Sequence, residues 1–131
     1  MKTKTMISNF AITGCLLLTF SLLTAGAVLH HGWANYHQDR EMDYTGIILN
    51  NDIGNPHTYI DFRVIDNEEA AVKEWEAVLA PVTRMRNRGM TDDSMLAVGD
   101  TVRVVGYPHR TIENEMRAER IIIGDVTIEL R

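Results

Sequence analysis

Cysteine is nearly absent from this 131-residue chain: its single thiol, Cys15, lies inside an apolar run near the start. Disulfides and thiolate chemistry therefore have nothing to build on in the rest of the chain. Serine is scarce as well, and beyond residue 27 only Ser94 is left, beside Asp93. With no cysteine and only Ser94 left to serve as nucleophile, a Ser/His or Cys/His pair is all but excluded, and the expectation is a protein that is not an enzyme. Positive charge is the third shortage, with 13 basic residues against 18 acidic ones and a net charge of −5. No internal repeat, low-complexity tract or interdomain linker breaks the sequence.

What stands at the start reads as an export signal. Lys2 and Lys4 give a positive beginning, an apolar run extends from Phe10 to Leu23, and Ala25-Gly26-Ala27 forms an Ala-x-Ala cleavage site. Cleavage after Ala27 leaves the 104 residues 28–131 (131 − 27), enough for one small domain. It also removes Cys15 and two of the lysines, so the charge becomes −7 (11 − 18). Phosphate repels so acidic a domain, which argues against nucleic acid and anionic lipid as partners. A retained anchor is the alternative, because Phe10 to Leu29 matches the ~20 residues of a membrane helix. Ile12-Thr13-Gly14-Cys15 loosely resembles a lipoprotein box, but most of the hydrophobic stretch follows that cysteine rather than preceding it. In either case the domain is expected beyond the membrane, in the periplasm.

The remainder reads as strands and turns. Residues 28–43 lack periodicity and are expected to form an extended arm before a barrel domain spanning 44–131. A first strand runs from about Tyr44 to Asn50, and Gly54 and Pro56 mark the following turn, with Gly54 expected at positive φ. In the second strand Thr58, Ile60, Phe62 and Val64 share one face, and His57, Tyr59, Asp61 and Arg63 share the other. After a polar turn at 66–69, Trp75, Ala77 and Leu79 alternate with Glu74, Glu76 and Val78. Pro81 to Arg88 suits a short helix ended by Gly89, and Thr91 suits the cap of a further turn. Gly99-Asp100 leads into a fourth strand, Thr101 to Tyr107, and a last strand region, Met116 to Leu130, is interrupted at Gly124-Asp125. Three strands, a helix and two strands is the element order of an all-β, five-stranded OB-like barrel; a meander sandwich is the alternative.

Metal binding is the sharpest functional expectation. After cleavage the free amine of Val28 and the imidazoles of His30 and His31 come close together, and amine, amide and imidazole nitrogens suit copper. His57, at the start of the second strand, is the third candidate ligand, and its alternative role is to hold the Asn55-Pro56 turn. Tyr59, Asp61, Glu74 and Glu76 surround it in sequence as orienting partners or as a ligand-binding set of their own. The second reading is accordingly a metal-free module that binds a small ligand or a periplasmic protein across strands two and three. Arg84, Arg86 and Arg88 are the one basic cluster, expected to pair with acids such as Asp92.

These motifs together resemble a bacterial family of small exported proteins classed only as a domain of unknown function. The matching residues are His30-His31 with Tyr36 downstream, Thr45-Gly46, Asn55-Pro56-His57, Trp75, Arg88-Gly89-Met90-Thr91, Leu96, and Gly99-Asp100 with Val102 and Val104. Members often carry His-His directly after the cleavage site, whereas here Val28 and Leu29 intervene and Gly32 stands where serine is common. The resemblance implies export and a grouping of His30, His31 and His57, and it carries no activity. Mass spectrometry of the periplasmic fraction should find a chain beginning near Val28 and lacking Cys15; full-length protein in the cytosol would contradict the export reading.

Overall fold

The structure is a computed structural model that describes residues 31–131. The segment expected to be an export signal, with Cys15, Val28 and His30, lies outside the described residues. Of the first 34 residues the described part is a short helix, α1 (His31–Ala34), and residues 35–131 form a separate compact unit. Among the described residues no helix is long and apolar enough to cross a membrane.

The unit from 35 to 131 is a closed five-stranded barrel with one additional strand. β1 (Met42–Asp52), β2 (Tyr59–Val64) and β3 (Glu74–Val78) form an antiparallel meander. β4 (Thr101–Pro108) pairs with the other edge of β1, and β5 (Glu115–Ile123) pairs with β4. The barrel shuts where β5 runs parallel to β3, with Ala77 opposite Met116 and Glu76 opposite Glu115. This strand order, β3-β2-β1-β4-β5, realises the OB-like barrel expected from the element order. The last strand region is split by a turn at Gly124, giving β6 (Val126–Glu129), which pairs outside the closed ring with β5.

The alternation read from sequence places the core correctly. Ile60, Phe62, Val64, Leu79, Val102 and Val104 are all buried, together with Ile48, Met85, Leu96, Met116 and Ile121. Trp75 is only partly buried: it packs at the rim of the core, tilted against Tyr44, and its indole N–H donates to Ala70 O at 3.3 Å. Two glycines let the sheet curl this tightly. A Cβ on Gly46 would sit 2.6 Å from both Arg63 O and Phe62 Cδ2, and one on Gly106 would press closer still on Arg117 O.

Several local expectations need correction. β1 starts at Met42, two residues before the expected Tyr44. The polar turn after β2 contains a single helical turn, α2 (Glu68–Ala71), because the Asn67 side chain accepts the N–H groups of Glu69 and Ala70, each at 3.1 Å. Gly54 does not adopt positive φ, a role taken by Gly89, Gly99 and Gly124. Gly54 instead exchanges hydrogen bonds with the buried Thr58 hydroxyl, and its carbonyl accepts from Val82 N at 3.0 Å. Pro81 caps α3 (Val82–Asn87) rather than opening it, and Asp92, not Thr91, caps the 3₁₀ turn Asp93–Leu96. The arm is not plain extended chain either, since Tyr36 is buried and bridges His109.

Truncating Phe62 to alanine should cost about 3–5 kcal/mol, as a large core deletion does. Tyr59→Ala, on the opposite face of the same strand, should cost a small fraction of that in urea unfolding. Equal losses would contradict the β2 register.

Candidate functional site

The outer face of β1–β3 carries a cleft of roughly 310 Å³ lined by Asn50, Asp52, Tyr59, Asp61 and Glu76. A bulge in β1 creates it. Ile48 pairs with Phe62, but Asn50 then pairs with Asp61, Asn51 with Ile60 and Asp52 with Tyr59, so Leu49 is the extra residue. An extra residue reverses the inside–outside parity of everything beyond it. Without it Asn50 and Asp52 would share the core side with the buried Ile48; with it both are exposed beside Asp61 and Tyr59. Asn51 takes the inward parity, and its amide donates to Leu96 O at 2.7 Å.

Of the four ligand-binding residues expected from sequence, the cleft brings together Tyr59, Asp61 and Glu76. Glu74 shares their parity but lies at the far end of β3, where it meets Arg63 Nη2 at 3.5 Å. Among the described residues none of Asp52, Asp61 and Glu76 enters an ion pair. Among the described residues Asp61 accepts only the Asn50 amide, at 3.3 Å. Burial, and then the neighbouring carboxylates of Glu115 and Asp61, push Glu76 above the usual carboxylate range. Glu115 is opposite Glu76 because the barrel closes there, and it accepts the Tyr36 hydroxyl. Burial first, and then Glu115, raise the Tyr36 phenol well above its ordinary value.

His57 flanks this cleft, its ring edge-on to Tyr59 at 6.3 Å between centroids. Its Nδ1 lies 3.2 Å from Leu79 O, and a carbonyl can only accept, so Nδ1 carries the proton and Nε2 presents the lone pair. Burial chiefly, then the positive charge of Arg117, lowers its pKa below the ordinary 6.5, against the opposing pull of the Leu79 carbonyl. His57 is thus held by the end of β3 rather than by the Asn55-Pro56 turn. A neutral imidazole donating Nδ1–H to a backbone carbonyl is also how metal-ligating histidines are oriented. Among the described residues, however, no three His, Cys, Asp or Glu side chains converge closely enough to hold a metal ion. His30 lies outside the described residues, and for His31 only the backbone, in α1, falls within them.

The basic cluster serves the fold. Arg84 donates to Leu130 O at 3.1 Å and Arg88 to Glu129 O at 2.8 Å, so α3 grips the end of the chain through carbonyls rather than acids. Arg86 alone takes a carboxylate, that of Asp93, at 2.8 Å. Sequence reasoning missed Asn50, Asp52 and Glu115. The first two were hidden by the bulge and the third by a pairing between strands far apart in the chain.

The described unit is a small closed β-barrel. The chain belongs to a family of unknown function (DUF6152), which it matches over residues 19–116. No curated protein matches it in sequence. Among solved structures, the crystal structure of the ZRD-deleted mutant of TiaS in complex with agmatine is similar at 18% identity and a TM-score of 0.49. That similarity covers 72% of this chain and 27% of the other, so this chain spans just over a quarter of that protein's length.

The His57 shift has a sign that unfolding can check. A depressed histidine pKa contributes stability that is full above about 6.5 and is lost as pH falls from there through the folded-state pKa. His57→Asn keeps a donor for Leu79 O but cannot titrate. Urea unfolding between about pH 5 and 8 should show a shallower acid-side loss in this variant than in wild type. Parallel curves would mean that His57 is not held neutral.

Proposed function

We propose that this chain is an exported, non-catalytic binding module whose ligand face is the β1–β3 cleft and whose ligand is a small cation. The observation that carries the reading is the set of three carboxylates, Asp52, Asp61 and Glu76, turned into one concavity without a cationic partner among the described residues. A cleft of about 310 Å³ has the size of a small-molecule site rather than a protein groove. Asn50 and the Tyr59 ring add a hydrogen-bonding group and an aromatic wall, which orient an ammonium or guanidinium head. The export signal in the sequence supports a periplasmic setting, and the acidic charge supports the exclusion of nucleic acid.

Calorimetric titration with a linear aliphatic diamine, with its uncharged diol as control, tests this. The diamine should saturate one site and weaken as salt is added, while the diol should not bind. Asp61→Asn and Glu76→Gln should each weaken binding by about 1 kcal/mol, roughly fivefold, whereas Glu74→Gln should leave it unchanged. Affinity should also fall as pH drops through the raised Glu76 pKa, because protonation removes that charge. Equal binding of diamine and diol, or equal losses from Glu74→Gln and Glu76→Gln, would overturn the proposal.

The tautomer of His57 favours one second reading, copper binding by histidine nitrogen. His57 Nε2 supplies one ligand on the barrel, and His30 and His31 are the ligands expected from sequence. Cu(II) uptake that is lost in His57→Ala or in the double variant His30→Ala/His31→Ala, and kept in Asp61→Asn, would put copper in place of the organic cation. Such a site should release copper below about pH 6.5, where protons compete for imidazole.

A further inference from the structure

The loop between β4 and β5 has a histidine where such turns ordinarily carry Asp, Asn, Ser or Thr. His109 Nδ1 accepts the backbone N–H of Thr111 at 3.1 Å and of Ile112 at 3.0 Å. These are donors two and three residues ahead, the pattern of an Asx-type turn. The Thr111 hydroxyl lies 3.4 Å from the same nitrogen. Two N–H groups aimed at Nδ1 require a lone pair there, so the neutral ring carries its hydrogen on Nε2. An Asn or a Ser in this place would accept at any pH, whereas a histidine accepts only while Nδ1 is unprotonated.

The same residue holds the segment that leads into the barrel. Tyr36 bridges His109, with His37 N donating to Pro108 O at 2.9 Å and Arg110 N donating to Asn35 O at 2.8 Å. The buried Tyr36 ring stands perpendicular to the imidazole, 5.0 Å away between centroids, and its hydroxyl reaches Glu115. One of these two backbone hydrogen bonds thus comes from Arg110, inside the turn that His109 caps.

We propose that His109 is a proton-sensitive latch that fastens residues 35–40 to the barrel. A proton on Nδ1 turns the acceptor into a third donor facing two N–H groups. The 109–112 turn then opens, and the Arg110–Asn35 bond and the Tyr36 contact are released with it. The titratable and charged groups of the surrounding elements are Tyr36, His37, Asp39 and Arg40 in the strap, Arg110 and Glu113 in the loop, and Glu115 and Arg117 at the start of β5. Within the strap His37 Nδ1 lies 3.7 Å from Asp39. The inference goes beyond the cleft and does not depend on what binds there.

Nitrogen-15 NMR of the histidine rings, combined with amide exchange corrected for its intrinsic pH dependence, tests the latch on the full exported chain. In wild type, His109 Nδ1 should show the shift of an unprotonated nitrogen at neutral pH. Protection of Thr111, Ile112 and Arg110 should fall about tenfold, the loss expected for one hydrogen bond, in step with protonation of His109. The Val104 amide should not change. His109→Asp retains an acceptor and should keep the protection flat across the same range, while His109→Ala should be unprotected throughout. If His109→Ala fails to fold, the ring shift and His109→Asp still decide. A protonated Nδ1 at neutral pH, protection that ignores the His109 titration, or a pH response unchanged in His109→Asp would each overturn the proposal.

Discussion

Closure of the barrel between β3 and β5 is the constraint on which the other features rest. A parallel contact between two strands of an otherwise antiparallel sheet requires the sheet to curl through a full turn. Two bulges and two glycines provide that curvature. β1 slips by one residue at Leu49, β5 slips by one at Glu119, and Gly46 and Gly106 let neighbouring backbone approach where a Cβ would collide. The β1 slip and the closure itself each have a second effect on the outer surface. The β1 slip turns Asn50 and Asp52 outward, and closure sets Glu115 beside Glu76. The acidic cleft is therefore a product of how the barrel is bent and not simply of which residues are acidic.

The distribution of charge follows the same logic. Arg84 and Arg88 are engaged with carbonyls of residues 129–130, and Arg103 and Arg120 with Asp43 and Glu129, leaving the cleft rich in carboxylate. Glu115 is occupied by the Tyr36 hydroxyl, so the strap that leads into the barrel and the wall of the cleft share a residue neighbourhood. His57 and His109 illustrate two uses of one side chain. The first gives Nδ1–H to a carbonyl and keeps Nε2 open, and the second takes two N–H groups on Nδ1.

Much of this was legible in the sequence, and the parts that were not share a physical cause. The period-two pattern of Ile60, Phe62 and Val64, and the helix breaker after Arg88, depend on local chemistry and read directly. Tyr59, Asp61 and Glu76 follow from that same parity. The bulge at Leu49 carries no residue signature, so parity alone puts Asn50 and Asp52 on the wrong side. Burial of Tyr36 depends on Pro108, His109 and Glu115, far along the chain, and nothing in the local composition of the arm announces it. The grip of Arg84 and Arg88 on backbone carbonyls is likewise a tertiary contact. The Asn67 cap was visible as a residue type but produces only one helical turn, too short to show periodicity.

The central claim is that the slip in β1 turns two polar residues into the cleft, and cross-strand backbone NOEs between β1 and β2 test it most directly. The account predicts contacts of Asn50 with Asp61 and of Asp52 with Tyr59, together with the contact of Ile48 with Phe62 on the near side of the bulge. Contacts of Leu49 with Asp61 and of Asn51 with Tyr59 would instead mean an unbroken register. Asp52 would then face away from Asp61 and Glu76, and the cleft described above would not exist.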